Sequence, residues 1–141
     1  MPYFDTSVVV AFYCPEPLSD KAERALRHAK TLIISPLVEV ELASAVSRKV
    51  RERSVAVTDA ARIIAEFKTH VDQGVFQMVS ISSIHFSCAF HWLSSFITPL
   101  RTFDAIHCAV ASQANETIIT ADAGLARSAK ILHVKHTLLS T

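Results

Sequence analysis

Apolar positions along the chain fall into two kinds of pattern: short unbroken runs, and longer stretches in which they recur every third or fourth residue. The unbroken runs are "PYFD", "TLIIS", "VFQMVSI", "ETIITAD" and "ILHV". Being apolar without alternation, they predict short strands covered on both faces, as in a parallel sheet. The stretches between them predict helices. "SVVVAFY" makes a short apolar helix that Thr6 or Ser7 can cap and that ends before Pro15. "DKAERALRHAK", with Ser19 as cap, puts Ala22, Ala25, Leu26 and Ala29 on one face. Ser35-Pro36 opens "LVEVELASAVSRKVRER", with proline at the first helical position. Thr58 caps the next helix, where Ile63, Ile64, Phe67 and Val71 are apolar at helical spacing, and Gly74 marks its end. "SSIHFSCAFHWLSSF" lines up Ile84, Cys88 and Trp92. A helix from "RTFDAIHCAVA" to about Ala114 and a short one over "AGLARSAK" complete the set.

The predicted order is β-α-α-β-α-α-β-α-α-β-α-β. Strands alternating with helices imply a three-layer α/β/α domain with a mainly parallel central sheet of four to five strands and right-handed crossovers. A chain of 141 residues makes one such domain, residues 1–141. Half the residues are apolar and 19% are charged, which suits a packed core and excludes a disordered class. The run from Val8 to Tyr13 is too short to span a bilayer, and "MPYFDTS" has no basic leader, so a soluble cytoplasmic protein is expected. Cys14, Cys88 and Cys108 are odd in number and show no zinc-type spacing, so they read as small buried apolar residues in a reducing compartment. The net charge of +1 says nothing about nucleic acid. Locally, "RKVRER" places Arg48, Lys49, Arg51 and Arg53 together; they suit a helix C-terminus and as a group could track phosphates.

Most of the thirteen acids lie among polar neighbours on helix faces. Asp5 and Asp122 instead follow buried strands directly, at the sheet edge where open parallel sheets bind ligands. Asp104 opens an apolar helix. Glu39 and Glu41 both lie early in the helix after "TLIIS", and a helical wheel does not choose between them. Each acid alone has an ordinary explanation as a cap, a turn residue or a first-turn charge. Gathered, they would repel and raise each other's pKa unless a cation neutralised them. Oxygen-only donors point to Mg²⁺ or Mn²⁺.

Four segments carry a resemblance to a known family: "FDTSVVVAFYCPEP", "ISPLVEVELASAV", "LRTFDAIHCAVA" and "IITADAGLARSA". In order and spacing they resemble the PIN domain, and in particular the VapC-like toxin ribonucleases of toxin–antitoxin pairs. The third segment is the most specific. The resemblance places the family glutamate on Glu41, and so completes a quartet of Asp5, Glu41, Asp104 and Asp122. It implies a metal-dependent endoribonuclease in which Asp5 and Asp104 hold Mg²⁺ or Mn²⁺ directly. Glu41 and Asp122 would be direct or water-mediated ligands, and the products would carry 5′-phosphate and 3′-hydroxyl ends. Thr6 and Thr120 could hydrogen-bond the carboxylates. His107, three residues after Asp104, shares its helix face and is expected to be packed or hydrogen-bonded. An antitoxin that blocks the pocket and a homodimer are implied as partners, the antitoxin face being expected on the second and fourth helices. The alternative is a PIN-like module that binds RNA or protein without cutting. A receiver domain is excluded because Ser35 stands where the phospho-acceptor aspartate belongs, and nucleotide-binding folds for want of a glycine-rich loop. One departure from the family lies near the C-terminus, where His133 replaces a glycine common before the last strand.

Overall fold

The structure, a computed structural model, describes residues 1–141. Five strands and seven helices follow each other in the predicted order. They are β1 (Tyr3–Phe4), α1 (Thr6–Tyr13), α2 (Ser19–His28), β2 (Leu32–Ile34), α3 (Pro36–Arg51) and α4 (Val57–Asp72). After these come β3 (Phe76–Met78), α5 (Ser83–Ser94), α6 (Thr102–Gln113), β4 (Ile118–Thr120), α7 (Ala123–Ile131) and β5 (His136–Leu138). All strand pairs are parallel, and the sheet runs β3-β2-β1-β4-β5, flanked by helices as a three-layer α/β/α domain. The chain builds outward from β1 through β2 to β3, then crosses back to add β4 and β5 on the other side. The strand order therefore reverses beside β1, and such a switch point opens a crevice at the carboxyl ends of the strands.

The apolar runs explain the core. Tyr3, Phe4, Ile34 and Ile118 are fully buried in the sheet. In α6 every residue from Ala105 to Ala111 is buried, so this helix is covered all round rather than on one stripe. Its Ala105, Ala109 and Ala111 are small enough to let neighbouring elements approach. The stripes on α2 and α4 face inward as expected, with Ala22, Leu26 and Phe67 buried. The three cysteines are free, Cys14 and Cys108 buried and Cys88 partly so. No helix is long and apolar enough to cross a membrane.

Several local expectations are corrected. The last strand is His136–Leu138, not "ILHV": Ile131 ends α7, and Val134 is buried in the connection. Ser35, the expected cap of α3, makes no capping bond and turns its hydroxyl to Tyr3 instead (2.8 Å). Thr58 lies inside its helix, and the N-cap position falls on Ala56. Ser19 likewise opens α2 from within; its Oγ accepts from Glu16 N (2.9 Å) and donates to Ala11 O (2.7 Å). On α5 the buried residues are His85 and Ala89, whereas Ile84 is exposed.

The scarcity of glycine has a structural counterpart. Helices α3, α4, α6 and α7 all close with paired bonds back into the last turn: Arg53 to Val50 and Ser54 to Lys49 in α3, for example. That closure needs a left-handed residue. Gly74 supplies it after α4, but Arg53, Asn115 and His133 supply it elsewhere at φ of 60°, 54° and 59°. His133, at the position where the resemblance implies a glycine, adopts the left-handed conformation that glycine favours.

Candidate active site

The reversal of strand order gathers residues from four distant segments onto one cavity of about 1020 Å³. Asp5, Glu41, Asp104 and Asp122 all line it. Asp5 leaves β1 and stands at the N-cap of α1; its N–H donates to Ile119 O (3.0 Å), which binds it to β4. Its side chain is buried, and Oδ2 accepts from Ser7 Oγ (2.7 Å) and Thr120 Oγ1 (2.7 Å). Thr120 ends β4, and its hydroxyl also accepts from the N–H of Asp122 (3.0 Å). Ser7 Oγ accepts from Ala121 N (2.9 Å). Two hydroxyls therefore stitch the ends of β1 and β4 together around one carboxylate oxygen. Asp122 is the N-cap of α7, where Oδ1 accepts from Gly124 N (2.8 Å) and Leu125 N (3.2 Å).

Glu41 reaches the cavity from α3 and is half-buried. Its Oε1 accepts from Thr6 Oγ1 (2.7 Å) and from His107 Nε2. Burial pushes its pKa up, but the bonds from His107 and Thr6 and the His107 charge prevail and hold it below the ordinary carboxylate value. Glu39 faces elsewhere and pairs with Lys68 (3.4 Å). The choice that the helical wheel left open thus falls on Glu41.

Asp104 sits in the first turn of α6 and accepts no hydrogen bond. Burial, then the charges of Asp5 and Asp122, push its pKa up to about 6, with Glu41 adding and His107 opposing. This is the like-charge repulsion expected of gathered carboxylates. Asp5, Glu41 and Asp122 each have one oxygen held by the fold, while Asp5 Oδ1, Glu41 Oε2 and Asp122 Oδ2 accept no hydrogen bond. The donors are hard, anionic and partly uncommitted, which suits a divalent cation with oxygen ligands. No three Asp, Glu, His or Cys side chains are yet drawn together into a closed coordinating group.

The cations divide. Arg48 and Lys49 line the cavity, and Arg101 joins them from the entry to α6. Lys49 also pairs with Glu16 (3.1 Å). Arg51 points to Ser47 Oγ (2.9 Å), and neither it nor Arg53 lines the cavity. The expected apolar face on the second and fourth helices is largely absent: α2 exposes no large apolar side chain, and α4 exposes only Val57. Exposed apolar residues instead cluster on α5 and the segment after it: Ile84, Phe86, Phe90, Phe96 and Ile97.

Sequence reading singled out Thr6 and Thr120 as hydroxyls near the carboxylates but assigned no such part to Ser7, Tyr3 or Ser35. Ser7 carried a signal, two residues beyond Asp5 at a helix start. Tyr3 lies two residues before Asp5, but an aromatic in a buried strand reads as core.

The sequence profile of the PIN domain matches residues 3–131. Among solved structures, the chain is similar to Mycobacterium tuberculosis VapC20, described as a sarcin-ricin loop cleaving toxin, at 15% identity and a TM-score of 0.72, over 91% of this chain and 95% of that one. It is similar to VapBC2 from Rickettsia felis, solved on a DNA fragment from the promoter, at 16% identity and a TM-score of 0.70, over 99% and 100% of the two chains. A third similar structure is FitAcB from Neisseria gonorrhoeae, with 16% identity, a TM-score of 0.70 and 96% of each chain covered. Among curated protein sequences none matches.

Proposed function

The chain belongs to the PIN domain family, and from that premise we propose that it is a divalent-metal-dependent endoribonuclease acting as the toxin of a toxin–antitoxin pair. The observation that carries this reading is the convergence of Asp5, Glu41, Asp104 and Asp122 on one cavity, with Asp104 raised to about 6 by burial and by its acidic neighbours. Asp5 and Asp104 would hold Mg²⁺ or Mn²⁺, with Glu41 and Asp122 completing the set directly or through water. When bound, the ion supplies an activated water and offsets charge on the scissile phosphate. The chain's own part is to aim three of these acids. Ser7 and Thr120 fix Asp5, Thr6 and His107 fix Glu41, and the N-terminus of α7 fixes Asp122. Arg48, Lys49 and Arg101 on the same wall attract the RNA backbone toward the acids. The VapBC2 and FitAcB likenesses support an antitoxin as partner. The exposed apolar side chains of α5 offer a face for the homodimer implied by the family.

The decisive experiment compares RNA cleavage by the wild-type chain and by Asp5→Asn, each with Mg²⁺ or Mn²⁺ and with a chelator. Metal-dependent cleavage in the wild type alone is expected. Undiminished cleavage by Asp5→Asn would sink the reading. Expression of the two in cells separates a toxin from a module that binds without cutting, because only a nuclease makes toxicity depend on Asp5.

A further inference from the structure

Glu41 is held more elaborately than the other acids, in part by side chains that do not line the cavity. His107 is fully buried and does not line it. Its Nε2 meets Glu41 Oε1, and its Nδ1 lies 2.6 Å from Tyr3 OH. Tyr3 is itself fully buried, and its hydroxyl lies 2.8 Å from Ser35 Oγ. Burial pushes the Tyr3 phenol far above its ordinary range, so it keeps its proton. An ionised Glu41 can only accept, which requires the proton on Nε2 of the imidazole. Nδ1 is then left to Tyr3, whose hydroxyl also meets Ser35. A continuous line of hydrogen bonds runs from Ser35 through Tyr3 and His107 to Glu41.

This chain ties β1, the β2–α3 junction and α6 to a single carboxylate oxygen on α3. Thr6 Oγ1, from α1, donates to the same oxygen (2.7 Å). Oε2 is left without a partner. A glutamate on a helix otherwise has three side-chain torsions to order, at a cost of about 1–2 kcal/mol when it is fixed. Here that ordering is completed before any ligand arrives. Neither ring nitrogen is available to substrate, which excludes His107 as a base.

We propose that His107, backed by Tyr3 and Ser35, is the positioning residue of this site: it fixes Glu41 by Oε1 and so keeps Oε2 free for the cation. The inference rests on the metal-nuclease reading above and adds to it the residue that orients one ligand. Loss of such an outer partner typically weakens metal affinity about 10–100-fold.

The test is Mn²⁺ binding by isothermal titration calorimetry on the full chain without RNA, with thermal unfolding to establish folding. His107→Gln can place an amide N–H near the position of Nε2 and keep the bond to Glu41. His107→Asn is shorter; its amide falls near Nδ1, so it keeps Tyr3 and loses Glu41. His107→Gln is expected to bind Mn²⁺ within about threefold of wild type, and His107→Asn about 10–100-fold more weakly. RNA cleavage should fall in kcat for His107→Asn, with KM little changed. His107→Leu should match His107→Asn; if it does not fold, the Gln and Asn pair decides. Equal Mn²⁺ affinity in folded Gln and Asn variants overturns the positioning role while leaving the nuclease reading standing. A wild-type chain that binds no Mn²⁺ overturns both.

Discussion

Asp104→Asn should make the metal-free protein more stable at neutral pH, although the substitution removes a first-turn acid that a helix ordinarily favours. The carboxyl titrates at about 6 in the fold against an ordinary 3.8, chiefly through burial and then through Asp5 and Asp122. Below about pH 3.8 it is protonated in both folded and unfolded chains and costs nothing. Between 3.8 and 6 the unfolded chain releases a proton that the folded chain retains, so stability falls as pH rises. Above 6 the penalty is complete. A fully shielded carboxyl would then cost about 3 kcal/mol. Asp104 is only half-buried, and solvent screening reduces this to about 1.5 kcal/mol. Losing the favourable helix-dipole contact takes back about 0.5 kcal/mol. The net gain for Asp104→Asn is about 1 kcal/mol at pH 7.5, a rise of about 3–5 °C in Tm for a domain of this size. Urea unfolding in the presence of a chelator, at pH 7.5 and again at pH 4, measures it. The advantage should shrink to within about 0.3 kcal/mol at pH 4, where the folded wild type carries the proton. A chelated Asp104→Asn chain no more stable than wild type at pH 7.5 refutes the reasoning. On the proposed function the ranking reverses with Mn²⁺, because ligand at 100 times its Kd adds about 2.7 kcal/mol to the wild type alone.

Replacing Arg48 and Lys49 together by alanine should weaken RNA binding and reduce the slope of log affinity against log salt by about 1.4, roughly 0.7 for each single-strand phosphate left without its cation. Fluorescence anisotropy over a salt series reads this; an unchanged slope would show that these cations do not meet the backbone. Ser7→Ala removes a donor to Asp5 Oδ2 and the acceptor of Ala121 N, and should cost about 1–3 kcal/mol in denaturant unfolding. His133→Gly relieves a left-handed residue at φ 59° and should stabilise the chain by about 0.5–1 kcal/mol, read as a higher Tm.

Sequence pattern carried the element order because a parallel sheet buries both faces of its strands, leaving β1, β2 and β4 as unbroken apolar runs. It failed at β5 for the same reason in reverse. That strand lies at the sheet edge and is mostly exposed, so "HTL" needs no apolar run, while the apolar "ILHV" beside it forms a helix end and a connection in which Val134 alone is buried. The hydroxyl assignments were local guesses overridden by tertiary partners: Ser35 reads as a cap, but a buried phenol from a strand 32 residues earlier claims its oxygen. Of the site, Asp5 and Asp122 were legible as acids at strand ends. Glu41 required the resemblance, since nothing in its own helix distinguishes it from Glu39. What distinguishes it is His107, 66 residues away, and no periodicity reports a contact of that span.

The central strand β1 is two residues long and is flanked by β2 and β4. Thr120 Oγ1, which helps to fix Asp5, lies 115 residues further along the chain. During synthesis at about 5–20 residues per second, that segment follows Asp5 by roughly 6–23 seconds. Late in this interval the nascent chain can pair β1 with β2 but lacks β4, one of the two hydroxyls that orient Asp5 and the whole of Asp122. The carboxylates come together only once β4 and the start of α7 have been made. On the proposed function, the chain would have no working cavity with which to attack RNA until most of it had been made.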